Sequence, residues 1–410
     1  MTSLSLPLLV CTMAALLAAC GDESNAPPPP PPPLERACLA RTGPAIIVRG
    51  VQTSGFADTS LAANTKVDAS AAQFLTSTDI PISIGGGGGV CLRGGEVIGA
   101  LSPSTSFNRL HDTYGLVARG RAFTLEQLRV FDYGDGASMD RQSAADWIVR
   151  DVHFKYIRDD CVENDFLNSG TIESSLFDGC YDAFSARPYT STSDGSGNLV
   201  VVRNSLVRLQ HMDQGYLRPG HGGFWKWSPT SPMISLYANV FLTDGPTIEN
   251  DVLAPPPGKL KDCSDNVMIW LGSGPFPETL PSCFTLLTGV AGLEYWNDAV
   301  AQWKADHPTA LPDVGPPIVS LLAPPDSATV SGTVTLIATA VDDRDVAGVQ
   351  FLLNGQPIGP EVTTESPLTR FALWWDSRSH LNGTYQLAAT ARDSRGNTTA
   401  SDGITVTISN

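Results

Sequence analysis

Between residues 125 and 268 the chain repeats a six-residue alternation of apolar and polar positions. The units are Leu125-Glu-Gln-Leu-Arg-Val130, Val149-Arg-Asp-Val-His-Phe154, Ile172-Glu-Ser-Ser-Leu-Phe177, Val202-Arg-Asn-Ser-Leu-Val207, Leu236-Tyr-Ala-Asn-Val-Phe241 and Cys263-Ser-Asp-Asn-Val-Met268, with starts 24, 23, 30, 34 and 27 residues apart. A short strand motif recurring every two to three dozen residues marks a solenoid, in which each copy buries its apolar face only against its neighbours. β-Branched, aromatic and Asn/Ser residues fill the units and no helical period runs through them, so stacked strands are expected. The unequal spacing places the insertions in loops on one side of a parallel β-helix.

The flanks differ. Residues 46–48 form an apolar strand, and the Ala/Ser-rich stretch 60–78 is expected to include a helix covering the first coil. Five glycines, Gly85 to Gly89, are followed by neither Lys-Ser/Thr nor a helical pattern, so they read as a turn before short strands at 90–92 and 97–98 rather than as a phosphate loop. After the last unit, Leu293, Trp296, Val300 and Trp303 define one face of a helix over 292–307, stopped by Pro308 and expected to cap the C-terminal end of the solenoid. Residues 308–317 are a Pro-rich linker. Beyond it, alternating strands are expected at 330–339, 349–353, 371–375, 385–391 and 404–408, with Asn354-Gly355 and Asn382-Gly383 as turns.

Charge and cysteines narrow the setting. Acidic residues outnumber basic ones 42 to 26, for a net charge of −16, which argues against nucleic acid as a partner. An anionic polymer would be repelled unless a cation or a local basic patch intervened. The apolar run 8–19 ends in Leu17-Ala18-Ala19-Cys20, which resembles the lipobox of bacterial lipoproteins, although no Lys or Arg precedes it. That resemblance implies a signal peptide over 1–19, lipidation of Cys20 and membrane contact through the lipid alone. Gly21 in place of Asp points to the outer membrane, on the periplasmic or the surface side. Residues 20–34, with seven prolines, form an extended spacer. Six further cysteines suggest disulfides in an oxidising compartment. Cys161/Cys180 and Cys263/Cys283 are 19 and 20 residues apart, near one coil, leaving Cys38/Cys91 as the third pair; no CxxC supports zinc. A monomer is expected.

Over roughly residues 80–285 the coil pattern resembles the right-handed parallel β-helix proteins of the pectate-lyase-like superfamily. The run Val330-Ser-Gly-Thr-Val-Thr-Leu-Ile-Ala-Thr-Ala-Val-Asp-Asp343, with Val349-Gln-Phe-Leu-Leu-Asn-Gly355 and Gly383-Thr-Tyr-Gln-Leu-Ala-Ala-Thr-Ala-Arg-Asp-Ser-Arg-Gly-Asn397, resembles a bacterial Ig-like domain. The expected fold is thus all-β: a right-handed parallel β-helix solenoid over 35–307, then an Ig-like β-sandwich over 318–410.

Alignment of the units locates the chemistry. Five residues past the last unit position lie Asp135, Asp159 and Asp182, and six past it lies Asp160. In register, such carboxylates would stack about 4.8 Å apart, with Glu163 nearby. Like charges at that spacing require a cation or a raised pKa, both of which a catalytic surface uses. Asp135, Asp159, Asp160, Glu163 and Asp182 are therefore the candidate metal ligands. Resemblance to pectate lyases implies calcium as cofactor, a polysaccharide partner and β-elimination from an acidic polymer, with Arg187 or Lys226 as base. The basic stretch 199–232 supplies Arg203, Arg208 and His211 as candidate substrate contacts. A second resemblance, to polygalacturonase-like hydrolases, rests on Asp159-Asp160-Cys161 and Gly220-His221-Gly222. It implies Asp160 as general acid, Asp159 with Asp135 activating water, and His221 in the site; the sixty-residue gap before His221 departs from that family. Trp225 and Trp227 are expected to be exposed for stacking on sugar rings. The competing reading spends the aspartates on turn hydrogen bonds and makes the chain a non-catalytic surface binder or adhesin. In the C-terminal domain Asp342, Asp343 and Asp345 form a further calcium candidate.

Overall fold

The computed structural model describes residues 37–99, 105–212, 220–363 and 370–410. Cys20, the signal peptide and the proline spacer lie outside them. Parallel pairing runs through residues 45–288 in three stacks. The first face contains Thr124–Glu126, Trp147–Arg150, Gly170–Glu173, Leu199–Arg203, Met233–Tyr237 and Leu260–Ser264. The second contains Glu96–Gly99, Arg129–Tyr133, the starts of His153–Glu163 and Leu176–Ala186, then Leu206–Leu209, Val240–Thr243, Asn266–Trp270 and Phe284–Thr288. The third contains Phe56–Leu61, Ile82–Gly86, Tyr114–Ala118, Asp135–Met139, the ends of His153–Glu163 and Leu176–Ala186, and Trp225–Trp227. This is the parallel β-helix that the repeat predicts.

The six-residue unit proves to be one corner of that helix, between the first and second faces. Its third residue is left-handed in every copy: Gln127, Asp151, Ser174, Asn204, Ala238 and Asp265 have φ between 49° and 58°. Its fourth residue points inward, and the small polar ones stack. Ser175 N–H donates to Ser205 Oγ (3.3 Å), Ser205 N–H to Asn239 Oδ1 (3.1 Å) and Asn239 N–H to Asn266 Oδ1 (3.1 Å). The ladder satisfies backbone donors that the turn removes from the sheets. Between the corners the interior is apolar, with Phe74, Leu125, Phe154, Phe177, Phe184, Trp225 and Phe241 among its buried residues. Disulfides Cys38–Cys91, Cys161–Cys180 and Cys263–Cys283 form as paired from the spacing.

Two flanking expectations change. Residues 60–78 are strands, Phe56–Leu61 and Lys66–Thr76, rather than a helix. Val67 and Ala69, then Ala72 and Phe74, are buried with a period of two, and one irregularity between them blurs the alternation. The C-terminal helix exists, as Gly289–Asp306, but it lies along the second face instead of over the open end. Trp296 and Trp303 cover Leu176, Leu206, Val240, Leu242 and Ile269, and Trp303 Nε1 donates to Ser174 O (2.8 Å). The outward apolar stripe of that face needs a cover, and the last coil already has Phe276, Leu280 and Phe284 against it.

Residues 318–410 form a cysteine-free β-sandwich. One sheet holds Ile318–Ala323, Thr333–Val341 and Arg370–Asp376; the other is built on Gly348–Leu353, Gly383–Arg392 and Ile404–Ile408. Leu336, Phe351, Phe371, Leu387 and Val406 fill the space between them. Ile318 and Val341 pack on Ile98 and Phe131 of the second face, and Arg344 spans to Glu96 (2.5 and 2.8 Å).

Candidate active site

The carboxylates converge on the third face. Alternate side chains of its strands point away from the apolar interior, and the pairing Asp160↔Asp182, with Ser138↔Glu163 a turn earlier, sets the register. The expected column is corrected by one position. His153–Glu163 carries one extra residue between Ile157 and Asp160 relative to its neighbour, so Asp135, Asp160 and Asp182 stack while Asp159 sits in the bulge. The bulge turns two successive carboxylates, Asp159 and Asp160, toward the same cation.

That cation is Lys226. It comes from Trp225–Trp227, whose alternation sends both tryptophans inward and the lysine out. Lys226 Nζ lies 3.3 Å from Asp159, 3.1 Å from Asp160 and 4.0 Å from Asp182. His111, from the loop before Tyr114–Ala118, closes the other side of Asp159 at 2.9 Å. Asp160 N–H donates to Asp135 Oδ1 (3.0 Å), and Gly223 N–H to Asp182 Oδ1 (2.5 Å). A side chain at Gly222 would strike Asp182, so glycine is required where that loop passes. At the rim, Ser138 donates to Glu163 (2.5 Å), Ser185 to Asp165 (2.8 Å), and Arg187 pairs with Asp251.

Burial and crowding split the acids. Asp135, Asp160 and Asp182 are pushed well above the ordinary carboxylate range, chiefly by burial and also by one another. Burial and the neighbouring Asp165 and Asp159 raise Glu163 to about 7. Burial opposes ionisation of Asp159 as well, but Lys226 and His111 outweigh it and hold that carboxyl below its ordinary value. Lys226 loses hydration yet is held well above the usual lysine value by Asp160, Asp159 and Asp182. Divergent carboxyls of this kind separate an acid from a base.

A hard cation also fits part of the site. Asp135, Asp159 and Asp160 offer oxygens all within 4.8 Å of one another. Asp135 Oδ2 is buried and finds no hydrogen-bond partner among the described residues. Calcium bound there would supply charge neutralisation, in competition with Lys226.

Other expected residues lie elsewhere. Arg203 and Arg208 sit on the first and second faces, paired with Glu173 and Asp178 (2.7 Å in each case), because the basic stretch crosses two corners before reaching the third face. His221 is buried behind the site: one ring nitrogen meets Gly222 O (2.7 Å), the other Thr243 Oγ1 (2.8 Å). Lying one residue before Gly222 in an extended segment, it points away from Asp182. His211 pairs with Asp244 (3.2 Å). Trp225 is a core residue against Phe184 and Phe241, and Trp227 is partly buried, its Nε1 donating to Pro232 O (2.9 Å). Their expected role as exposed stacking rings is therefore corrected. An accessible aromatic near the acids is Tyr189, 70% exposed and stacked on Phe166 at 5.0 Å. Its N–H donates to Asp165 O (2.9 Å), which sets it at the rim of the acids. His111, Asp251 and Tyr189 all come from insertions outside the repeated unit, so alignment of the units gives no signal for them.

A family model for the bacterial Ig domain matches residues 317–389. Structural comparison returns fibronectin(III)-like modules of Clostridium thermocellum CbhA, at 20% identity and TM-score 0.19, covering 22% of this chain and 94% of theirs. It also returns the endo-beta-1,4-mannanase from Thermotoga petrophila, at 11% identity and TM-score 0.22, covering 52% of this chain and 40% of the mannanase. Scores this low carry no argument about fold or activity. No curated protein shows significant similarity to the chain. Over residues 317–389, then, the sandwich that follows the β-helix is similar to the bacterial Ig domains.

Proposed function

We propose that this protein is an exported carbohydrate-active enzyme that hydrolyses a polysaccharide on the third face of its β-helix. The observation that carries the reading is the division of the acids: Asp159 is held ionised by Lys226 and His111, while Glu163 beside it is raised to about 7. Glu163, at the rim, donates its proton to the leaving oxygen as the glycosidic bond breaks, while water adds to the anomeric carbon and gives up its proton to Asp159, the second carboxylate. Asp160, Asp182 and Lys226 position Asp159. Tyr189 offers a flat apolar surface for a sugar ring. A neutral, hydroxyl-rich polymer suits this surface better than a polyuronate, because the arginines Arg203 and Arg208 are committed to other faces.

Calcium-assisted β-elimination is the second reading, favoured by the unpartnered Asp135 Oδ2 among three converging carboxylates. It is weaker because both base candidates are engaged, Lys226 with three aspartates and Arg187 with Asp251. Three disulfides fit an oxidising compartment, and among the described residues no helix is long and apolar enough to cross a membrane. Attachment through lipid on Cys20 accords with the sequence.

A panel of neutral and acidic polysaccharides, followed both by new reducing ends and by ultraviolet absorbance of unsaturated uronates, separates these readings. Reducing ends without absorbance, insensitive to EDTA, are expected. Absorbance that EDTA abolishes would transfer the assignment to elimination. Binding of a polymer without either signal would leave a non-catalytic binder.

A further inference from the structure

A second group of carboxylates gathers where the linker reaches the Ig domain. Asp313 in the linker, Asp342 after Thr333–Val341 and Asp393 after Gly383–Arg392 each offer an oxygen, all within 4.8 Å of one another. Asp342 and Asp393 are fully buried. Local donors lock one oxygen of Asp342 and both oxygens of Asp393, whose Oδ2 accepts from Asn397 Nδ2 (2.6 Å). Asp342 Oδ1 accepts from Arg344 and Asp345 (2.8 and 2.9 Å), and Asp393 Oδ1 from Arg395, Gly396 and Asn397 (2.8, 2.6 and 2.8 Å). The second oxygen of Asp342 is buried and has no hydrogen-bond partner among the described residues, and the same holds for Asp313 Oδ1.

The surrounding cations do not answer this charge. Arg344 is divided between Glu96 (2.5 and 2.8 Å) and Asp343 (3.2 Å), and Lys155 reaches Asp342 only through its field. A buried carboxylate oxygen without a partner is costly, and native structures rarely leave one unanswered. A hard divalent cation answers several at once, and a ligand set of oxygens alone selects calcium over transition metals.

We propose that Asp313, Asp342 and Asp393 bind a calcium ion that pins the linker to the Ig domain. The expected set Asp342, Asp343 and Asp345 is thereby redrawn. Asp343 turns to Arg344 and Asp345 to Ser394 (2.9 Å), and the ligands on either side of Asp342 come from segments far away in sequence. The site does not depend on any reading of the third face.

The test is calorimetric titration of the full chain with calcium chloride, alongside thermal unfolding with calcium or EDTA. It uses the wild type, Asp342→Asn, Asp313→Asn and, as control for the third face, Asp160→Asn. The expected result is a binding event and a raised unfolding midpoint in the wild type, retained in Asp160→Asn. Asp342→Asn and Asp313→Asn should each weaken that event about tenfold or more. Asp313 lies in the linker outside the sandwich core, so its variant remains informative if Asp342→Asn fails to fold. No calcium binding by the wild type, or binding unchanged in Asp313→Asn and in folded Asp342→Asn, would overturn the proposal.

Discussion

Lys226 is the residue on which the candidate site turns. Its ammonium is the group that three buried aspartates share, and removing one member of a buried charge network typically costs more than the network contributes. Lys226→Met is expected to lower stability by about 3–5 kcal/mol in urea unfolding and to raise the pKa of Asp159; an unchanged midpoint would mean that the aspartates are protonated without it. Glu163 predicts a pH dependence of opposite sign to the usual carboxylate. Its folded pKa is raised from 4.5 to about 7, so the folded state binds the proton more tightly than the unfolded one. Its contribution to stability is therefore complete below pH 4.5 and lost as pH rises through about 7. The unfolding midpoint should fall across that window in the wild type and fall less in Glu163→Gln. As proton donor, Glu163 also predicts activity that declines above about pH 7, a limb that Glu163→Gln should lack along with most of the activity.

At the scale of elements, the stacked corner is what makes the β-helix legible from sequence. Each six-residue unit holds a left-handed third residue and an inward fourth one, so the pattern records a turn as well as a strand. Asn239 shows how much rests on it. Its Oδ1 accepts from Ser205, while its Nδ2 donates to Val202 O and Asn266 Oδ1. Asn239→Ala should cost about 2–3 kcal/mol in chemical denaturation, since it strands buried donors and acceptors; a loss under about 0.5 kcal/mol would show the ladder to be incidental. What the repeat could not convey was register beyond the corner. One extra residue near Asp159 moves Asp160 into the stack, and counting from the unit places Asp159 there instead. The segment from Phe224 to Trp227 misled for a related reason. Gly222 and Gly223 suggest a loop, yet they serve close packing against Asp182 and Val252, and the strand begins immediately afterwards. Side chains delivered by insertions, such as His111 and Asp251, have no periodic partner to reveal them.

For the whole molecule, the second face is a docking surface and the third carries the proposed chemistry. The helix Gly289–Asp306 and the Ig domain cover the second face, with Arg344 bridging to Glu96. Arg344→Ala should speed limited proteolysis of the 308–317 linker without altering catalysis on the third face; an unchanged cleavage rate would show that apolar packing at Ile98 and Phe131 suffices. The acidic net charge and the committed arginines together favour a neutral polymer, to be cleaved in the proposed site by carboxylates held around one lysine. The most direct test is the rate of reducing-end release by Asp159→Asn beside wild type on a polymer the wild type cleaves, with the fold checked by circular dichroism. Loss of activity on the order of a hundred- to ten-thousand-fold in a folded variant is the predicted result. Activity within about twofold of wild type would contradict the account, since Asp159 is its ionised carboxylate.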